Sequence, residues 1–178
     1  MSPRKLSGAA APVRGKAPVT LPVAAIAGLV GALAPAAAAY AAEQTAYPQG
    51  AAAFQANCAL CHGPAGAGVP ALAPPLTAYP ARFAASAEGR RQLVITVLYG
   101  MFGEITVGEL HFNSQMPDFG RLDDVTLAAA LNFVVFDLAH AGPEVKPLGA
   151  AEIAAERAHA MDGAAVREHR KSLAAAGS

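Results

Sequence analysis

Cys58-Ala59-Leu60-Cys61-His62 is the stretch of sequence on which the reading of this chain turns, because it holds both cysteines of the 178 residues. On one helical turn, residues i and i+3 lie on the same face. Two thiols at that spacing can therefore reach one flat ligand while the next residue aims its imidazole at the centre. C-x-x-C-H is the pattern of c-type haem attachment: Cys58 and Cys61 would add to the two vinyl groups, and His62 would ligate the iron. A structural zinc site would need four ligands, and His111, His140, His159 and His169 form no second pair at short spacing. A thioredoxin-like pair would need a preceding strand in a βαβ unit, whereas Gln49 to Leu60 reads as a short helix. A disulfide across so few residues would constrain the unfolded chain little.

A closed haem site needs a second axial ligand. Of the four methionines, Met1 is lost with any export signal, Met161 falls in a polar tail, and Met101, just past Gly100, reads as a core gap-filler. Met116 lies in the loop Ser114-Gln115-Met116-Pro117-Asp118-Phe119, with Pro117 stiffening the backbone beyond the sulfur. Thioether ligation is a standard haem c arrangement, so Met116 is the expected sixth ligand, with His111 as its rival.

These residues resemble the single-haem class I cytochromes c over about Gly50 to Leu138. Gly50, Phe54 and Cys58, then Cys61-His62-Gly63, look like the family's first helix and haem-binding turn. The resemblance implies that Gly50 and Phe54 pack on a final helix, Asp123 to Leu138, with Phe133 at its aromatic position. Pro74-Pro75-Leu76 is similar to a family segment whose proline carbonyl accepts a hydrogen bond from the proximal imidazole, which implies that role for Pro74. Second-shell bonds of this kind fix the tautomer and raise ligand basicity. Met116-Pro117 matches the axial methionine motif. There is no Trp, and Phe112 stands near where several members carry a tyrosine, so the propionate contacts do not transfer. The implied fold is all-α, a small class I cytochrome c fold wrapped around one covalent haem c, with a helical C-terminal extension.

Local signals agree with that outline. Gly63 to Pro80, rich in Gly and Pro, reads as a loop. Ser86 caps a helix over Ala87 to Tyr99 that Gly100 closes, with Leu93, Val94, Val97 and Leu98 as its apolar stripe. Glu104 to Phe112 is either a small hairpin or a plain loop. Asp123 caps the last core helix, whose Leu127, Leu131, Val134 and Leu138 recur at helical spacing. Beyond Pro143 to Pro147, Ala150 to His159 and Ala164 to Leu173 read as two short helices forming either a loosely packed, solvated extension or a docking element for a partner, with His140, His159 and His169 at the surface. No internal repeat is present.

The chain is 54% hydrophobic and 15% charged. Much of the apolar share is alanine, so side chains alone make a thin core that an apolar cofactor would fill. Thirteen Lys+Arg balance thirteen Asp+Glu, yet Arg4, Lys5, Arg14 and Lys16 all precede the first acid, Glu43. A basic start, an uncharged run from Ala17 to Ala42, and small residues ending it read as a secretory signal over residues 1–42, cleaved after Ala41 or Ala42, or as a retained anchor. Either places the rest outside the cytoplasm, in the periplasm, soluble or held at the outer face of the inner membrane. Residues 43–142 form the cytochrome domain and 143–178 the extension. Without residues 1–42, nine Lys+Arg face thirteen Asp+Glu, a net charge of −4. No basic stripe for nucleic acid remains.

The expected function is electron transfer rather than enzyme catalysis: no catalytic residues, and a His62/Met116-ligated haem iron cycling between Fe(III) and Fe(II). The implied partners are redox proteins, a dehydrogenase as donor and an oxidase or another cytochrome as acceptor. Two alternatives stand beside it: a permanent haem subunit of a periplasmic dehydrogenase or oxidase complex, and an enzyme or sensor whose sixth site opens.

Overall fold

A computed structural model describes residues 45–176; the expected export segment, residues 1–42, lies outside them. The described chain runs α1 (Pro48–Asn57), α2 (Ala59–His62), α3 (Tyr79–Ala84), α4 (Ala87–Tyr99), β1 (Met101–Phe102), β2 (Ile105–Val107), β3 (Leu110–Phe112), β4 (Gln115–Met116), α5 (Asp124–Asn132), a π-helical turn over Phe133–Leu138, α6 (Ala150–Arg157) and α7 (Gly163–Ala176).

The all-α expectation is wrong. Four short strands form two antiparallel pairs, β1 with β4 and β2 with β3. Gly100, Gly103 and Gly108 all stand at positive φ, ending α4 and turning the chain twice. The extended pieces between them carry backbone groups that no helix satisfies, and pairing satisfies them. Met101 stands opposite Met116 in one ladder and Ile105 opposite Phe112 in the other. Of the two readings for Glu104 to Phe112, the hairpin is the one observed, with the two-residue turn Gly108-Glu109 and Gly108 at φ 62°.

Local capping sets the helix limits. Ser86 Oγ accepts from the Gly89 N–H at 3.1 Å and starts α4; Gly100, φ 69°, ends it. Asp123 Oδ1 accepts from the Thr126 N–H at 2.8 Å and starts α5. The regular helix stops at Asn132, and the next residues widen into a π turn, with Ala139 N–H bonded to Val134 O. Within that turn Phe133, Val134 and Val135 are all buried. The loop expected over Gly63 to Pro80 ends two residues earlier, where α3 begins at Tyr79 with Pro80 in its first turn, a position that needs no N–H.

The first helix crosses the last core helix where Gly50 lies so close to the Ala129 carbonyl that a Cβ there would collide with it. Beside this crossing the Phe54 and Phe133 rings sit 5.4 Å apart, inclined at 52°. A larger cluster joins Val94 and Leu98 of α4 with Leu127 and Leu131 of α5, and with Val145, Leu148 and Ile153 of the tail.

The tail is not a loosely packed extension. Ile153 and Val166 are fully buried. The Asn132 amide, itself buried, donates to Leu148 O at 3.0 Å and accepts from Leu148 N–H at 2.7 Å. Arg157 donates to Asp124 and to the carbonyls of Gly120 and Leu122. Among the described residues no helix is long and apolar enough to cross a membrane.

Candidate functional site

Between the two core clusters lies a cleft with about 1340 Å³ of empty space, counting the part open to solvent. Its wall brings together Cys58, Cys61, His62, Pro74 and Met116. All five expected site residues thus face one cavity.

Cys58 closes α1 and His62 ends α2. The His62 N–H bonds back to Cys58 O at 3.0 Å, so thiols and imidazole hang from one turn. The two cysteines are not joined by a disulfide, and both are half-buried. Burial first, and the neighbouring Cys61 second, push the Cys58 thiol up to about 11. It is therefore a neutral group on an apolar wall.

The His62 ring is buried at 8% exposure. Its Nδ1 lies 2.9 Å from the Pro74 carbonyl oxygen; a carbonyl can only accept, so Nδ1 carries the hydrogen and Nε2 keeps its lone pair. Burial lowers the ring's pKa and the Pro74 contact partly offsets this. A neutral imidazole with one fixed nitrogen and one free is the form that binds a metal. The loop between them holds the geometry: Gly68 N–H bonds His62 O at 2.8 Å, and Leu76 N–H bonds Gly66 O at 2.7 Å.

Met116 reaches the same wall from β4 rather than from a plain loop. Its strand is pinned by the pairing to Met101, and the chain after Pro117 is tied to α4 by Phe119 N–H to Val97 O at 2.8 Å. Gly100 lies against the Met116 carbonyl, where a Cβ would come within 2.5 Å. The rival ligand, His111, is on β3 with its side chain 68% exposed, beside Thr106 and Glu104. It is not part of the cavity wall.

Of the lining residues that sequence reasoning missed, two bear on the chemistry, Met101 and Arg170. Met101 is in the same wall as Met116 and is not merely core filler. Arg170 reaches the wall from α7, more than a hundred residues beyond the motif. Spacing carries no signal for such a return; only the tail's packing reveals it.

The alternatives find no support in the geometry. Among the described residues no group of three or more His, Cys, Asp or Glu is placed to hold a metal ion. No strand precedes the cysteine pair among the described residues either, the first being Met101–Phe102. A haem fits the cavity's chemistry: thiols for its vinyl groups, a nitrogen and a thioether for its iron, apolar side chains for its faces.

Comparison with known proteins points the same way. Residues 45–134 match the family described as cytochrome c oxidase, cbb3-type, subunit III. The chain is 35% identical over 120 residues to cytochrome c-552 of Thermus thermophilus, covering 66% of this chain and 92% of that protein. A second cytochrome c-552, from Thermus thermophilus strain ATCC 27634, is also 35% identical over 120 residues, covering 66% of this chain and 81% of that protein. With that coverage, and with the attachment motif set in this cavity, the chain belongs to the single-haem class I cytochromes c, a family of haem-based electron-transfer proteins.

Proposed function

We propose that this protein is an electron carrier in which one haem c is attached through Cys58 and Cys61 and its iron is ligated by His62 and Met116. The observation that carries this reading is the convergence of both thiols, the Pro74-bound imidazole and the Met116 side chain on one apolar cavity. Bound there, haem c supplies an iron that takes up and releases a single electron.

The chain's own groups do the rest. Cys58 and Cys61 would each hold the haem through a thioether, the thiol's sulfur and its hydrogen both going to one vinyl group, so attachment would consume no oxidant. Pro74 fixes the Nδ1–H tautomer, which leaves the His62 Nε2 lone pair for the iron and strengthens it as a donor. Met116 would hold the iron through its thioether sulfur, which would leave no open position for O₂ or substrate. The apolar wall of Leu93, Val97, Ile105 and Phe112 keeps water away and disfavours the more highly charged oxidised site. Leu72, a wall residue 45% exposed, marks where the cavity meets the surface, suited to the small interface of a transient redox encounter. The partners are extracytoplasmic redox proteins, a dehydrogenase donor and an oxidase or cytochrome acceptor. The basic start and apolar run of residues 1–42 support a periplasmic address, free or anchored.

The test is the visible spectrum, oxidised and reduced, with and without carbon monoxide, for the wild type, Met116→Ala and Met101→Leu. We expect the weak long-wavelength iron–sulfur band in the wild type and in Met101→Leu, its loss in Met116→Ala, and carbon monoxide binding by Met116→Ala alone. Ready carbon monoxide binding by the wild type overturns the closed site and brings a catalytic or sensing role forward.

One observation favours a second reading, a permanent haem subunit of an oxidase or dehydrogenase complex: the family matched over residues 45–134 is described as an oxidase subunit. Under that reading the protein co-purifies with a fixed partner from its own membranes at high salt; under the first it does not.

A further inference from the structure

The cavity wall carries a single charged side chain among the described residues, and it comes from the tail: Arg170. No Asp or Glu among the described residues lines the cavity to neutralise it. The guanidinium sits 5.0 Å above the Phe83 ring of α3, and it makes no hydrogen bond or ion pair with any described residue, whereas Arg90, Arg91, Arg157 and Arg167 are each paired with a carboxylate.

This placement is fixed by packing. One turn before Arg170, on the same face of α7, Val166 is fully buried, and its carbonyl accepts from Gln92 Nε2 at 3.4 Å. The neighbouring His169 ring contacts Gln92 Oε1 through Nδ1 at 2.6 Å and Glu88 Oε2 through Nε2 at 3.3 Å. At the other end of the helix Gly163 lies against Phe102, where a Cβ would come within 2.6 Å of the ring. The helix is thus held at both ends, and Arg170 is presented to the cavity. Burial lowers its pKa and nearby Tyr79 partly offsets this, as expected for a cation that has lost water and gained no counter-charge.

A haem brings two propionate carboxylates into a site whose wall, among the described residues, holds one cation and no anion. Resting on the haem-binding reading above, we propose that Arg170, carried into the cavity wall by the C-terminal helix α7, binds a haem propionate, so that the tail completes the cofactor site. A guanidinium suits a carboxylate through two parallel N–H···O bonds, and the Phe83 ring beneath it holds its plane. The titratable group beside this guanidinium is Tyr79 of α3; on α7 itself, His169 is turned to Gln92 and Glu88 of α4, and Lys171 is exposed and outside the cavity wall.

The test uses the full-length holoprotein, with covalent haem content confirmed first, and compares wild type, Arg170→Gln, Arg170→Lys and Lys171→Gln. Loss of a cation beside the haem favours Fe(III), so the midpoint potential of Arg170→Gln falls. The propionate also loses its counter-charge, so the pH at which the potential becomes pH-dependent rises by about one unit or more. Arg170→Lys retains most of both properties, and Lys171→Gln, which removes an equal charge next door, changes neither. The proposal is overturned if Arg170→Gln matches the wild type in potential and pH profile, or if Lys171→Gln shifts both as much as Arg170→Gln does. Absence of covalent haem from the wild type overturns the haem-binding reading itself.

Discussion

Gly68 stands at φ 78°, where an added Cβ would come within 2.8 Å of the backbone of Pro74 and Pro75. It is the residue that lets the loop fold back closely enough for the Pro74 carbonyl to meet His62. Gly68→Ala combines a left-handed backbone with that collision, and neither neighbour is a flexible side-chain end that could yield. We expect a loss of about 1–3 kcal/mol in unfolding free energy, measured by the denaturant midpoint. The Pro74 carbonyl would also move off Nδ1, so the potential of the holoprotein should shift, because the ligand's second-shell bond tunes the iron. A control at Gly149, where a Cβ meets nothing within 4 Å, should change neither. At this scale much was legible in the sequence: the Cys58–His62 spacing and the twelve-residue step to Pro74 name groups that the structure sets on one wall. Arg170 was not legible, since a residue's role in a cavity wall depends on where a remote helix is anchored. Met101 was misread for a related reason, because cross-strand pairing, not sequence neighbourhood, puts it opposite Met116.

Among the elements, α4 was legible to the residue because its limits are chemical and local, a serine cap and a positive-φ glycine. Strands β1 and β4 were not, since two-residue segments have no periodicity to detect, and the β2–β3 hairpin was only one of two readings for Glu104 to Phe112. The tail's attachment was also hidden, and one of its ties has a pH signature. Arg90 of α4 grips Glu152 of α6 with both carboxylate oxygens, at 2.9 and 2.7 Å, and Glu152 also accepts from the Gly149 N–H at 2.9 Å. The Arg90 bonds, most of all, hold the Glu152 carboxyl below its usual 4.5 despite partial burial. A folded pKa below the unfolded one gives stability that is fully present above about 4.5 and lost as pH falls through the folded value. Glu152 is 41% exposed, so screening keeps the contribution under about 1 kcal/mol. Glu152→Gln should therefore unfold slightly more easily than wild type at neutral pH, and the gap should close in acid, where wild-type Glu152 is itself uncharged. Thermal melts of both proteins on either side of that range check it; a gap that persists in acid would mean that the side chain acts through packing instead.

For the molecule as a whole, the question is whether the chain after Gly142 is an appendage or a wall. The alanine-rich, charged composition of that segment reads as solvent-facing, and it hides the few large residues that matter. Val145, Leu148, Ile153 and Val166 are each 7% exposed or less, and the first three complete a cluster shared with α4 and α5. Full burial of such side chains is worth about 1.5–3 kcal/mol each, so together they are comparable with the whole stability of a small domain, about 5–15 kcal/mol. Truncation after Gly142 would also strand the Asn132 amide, which now spends both its donor and its acceptor on Leu148, and would uncover Gln92 on α4. Two outcomes separate the architectures in a calorimetric or denaturant melt of the truncated holoprotein. A detachable docking tail leaves a cooperative transition close to that of the full chain, with the spectrum and potential intact. An integral tail costs the cooperative transition or lowers its midpoint steeply, and admits water to the side of the cavity that Arg170 now guards. We expect the second, because the core cluster is closed from both sides and the cavity wall is built from residues on either side of Gly142.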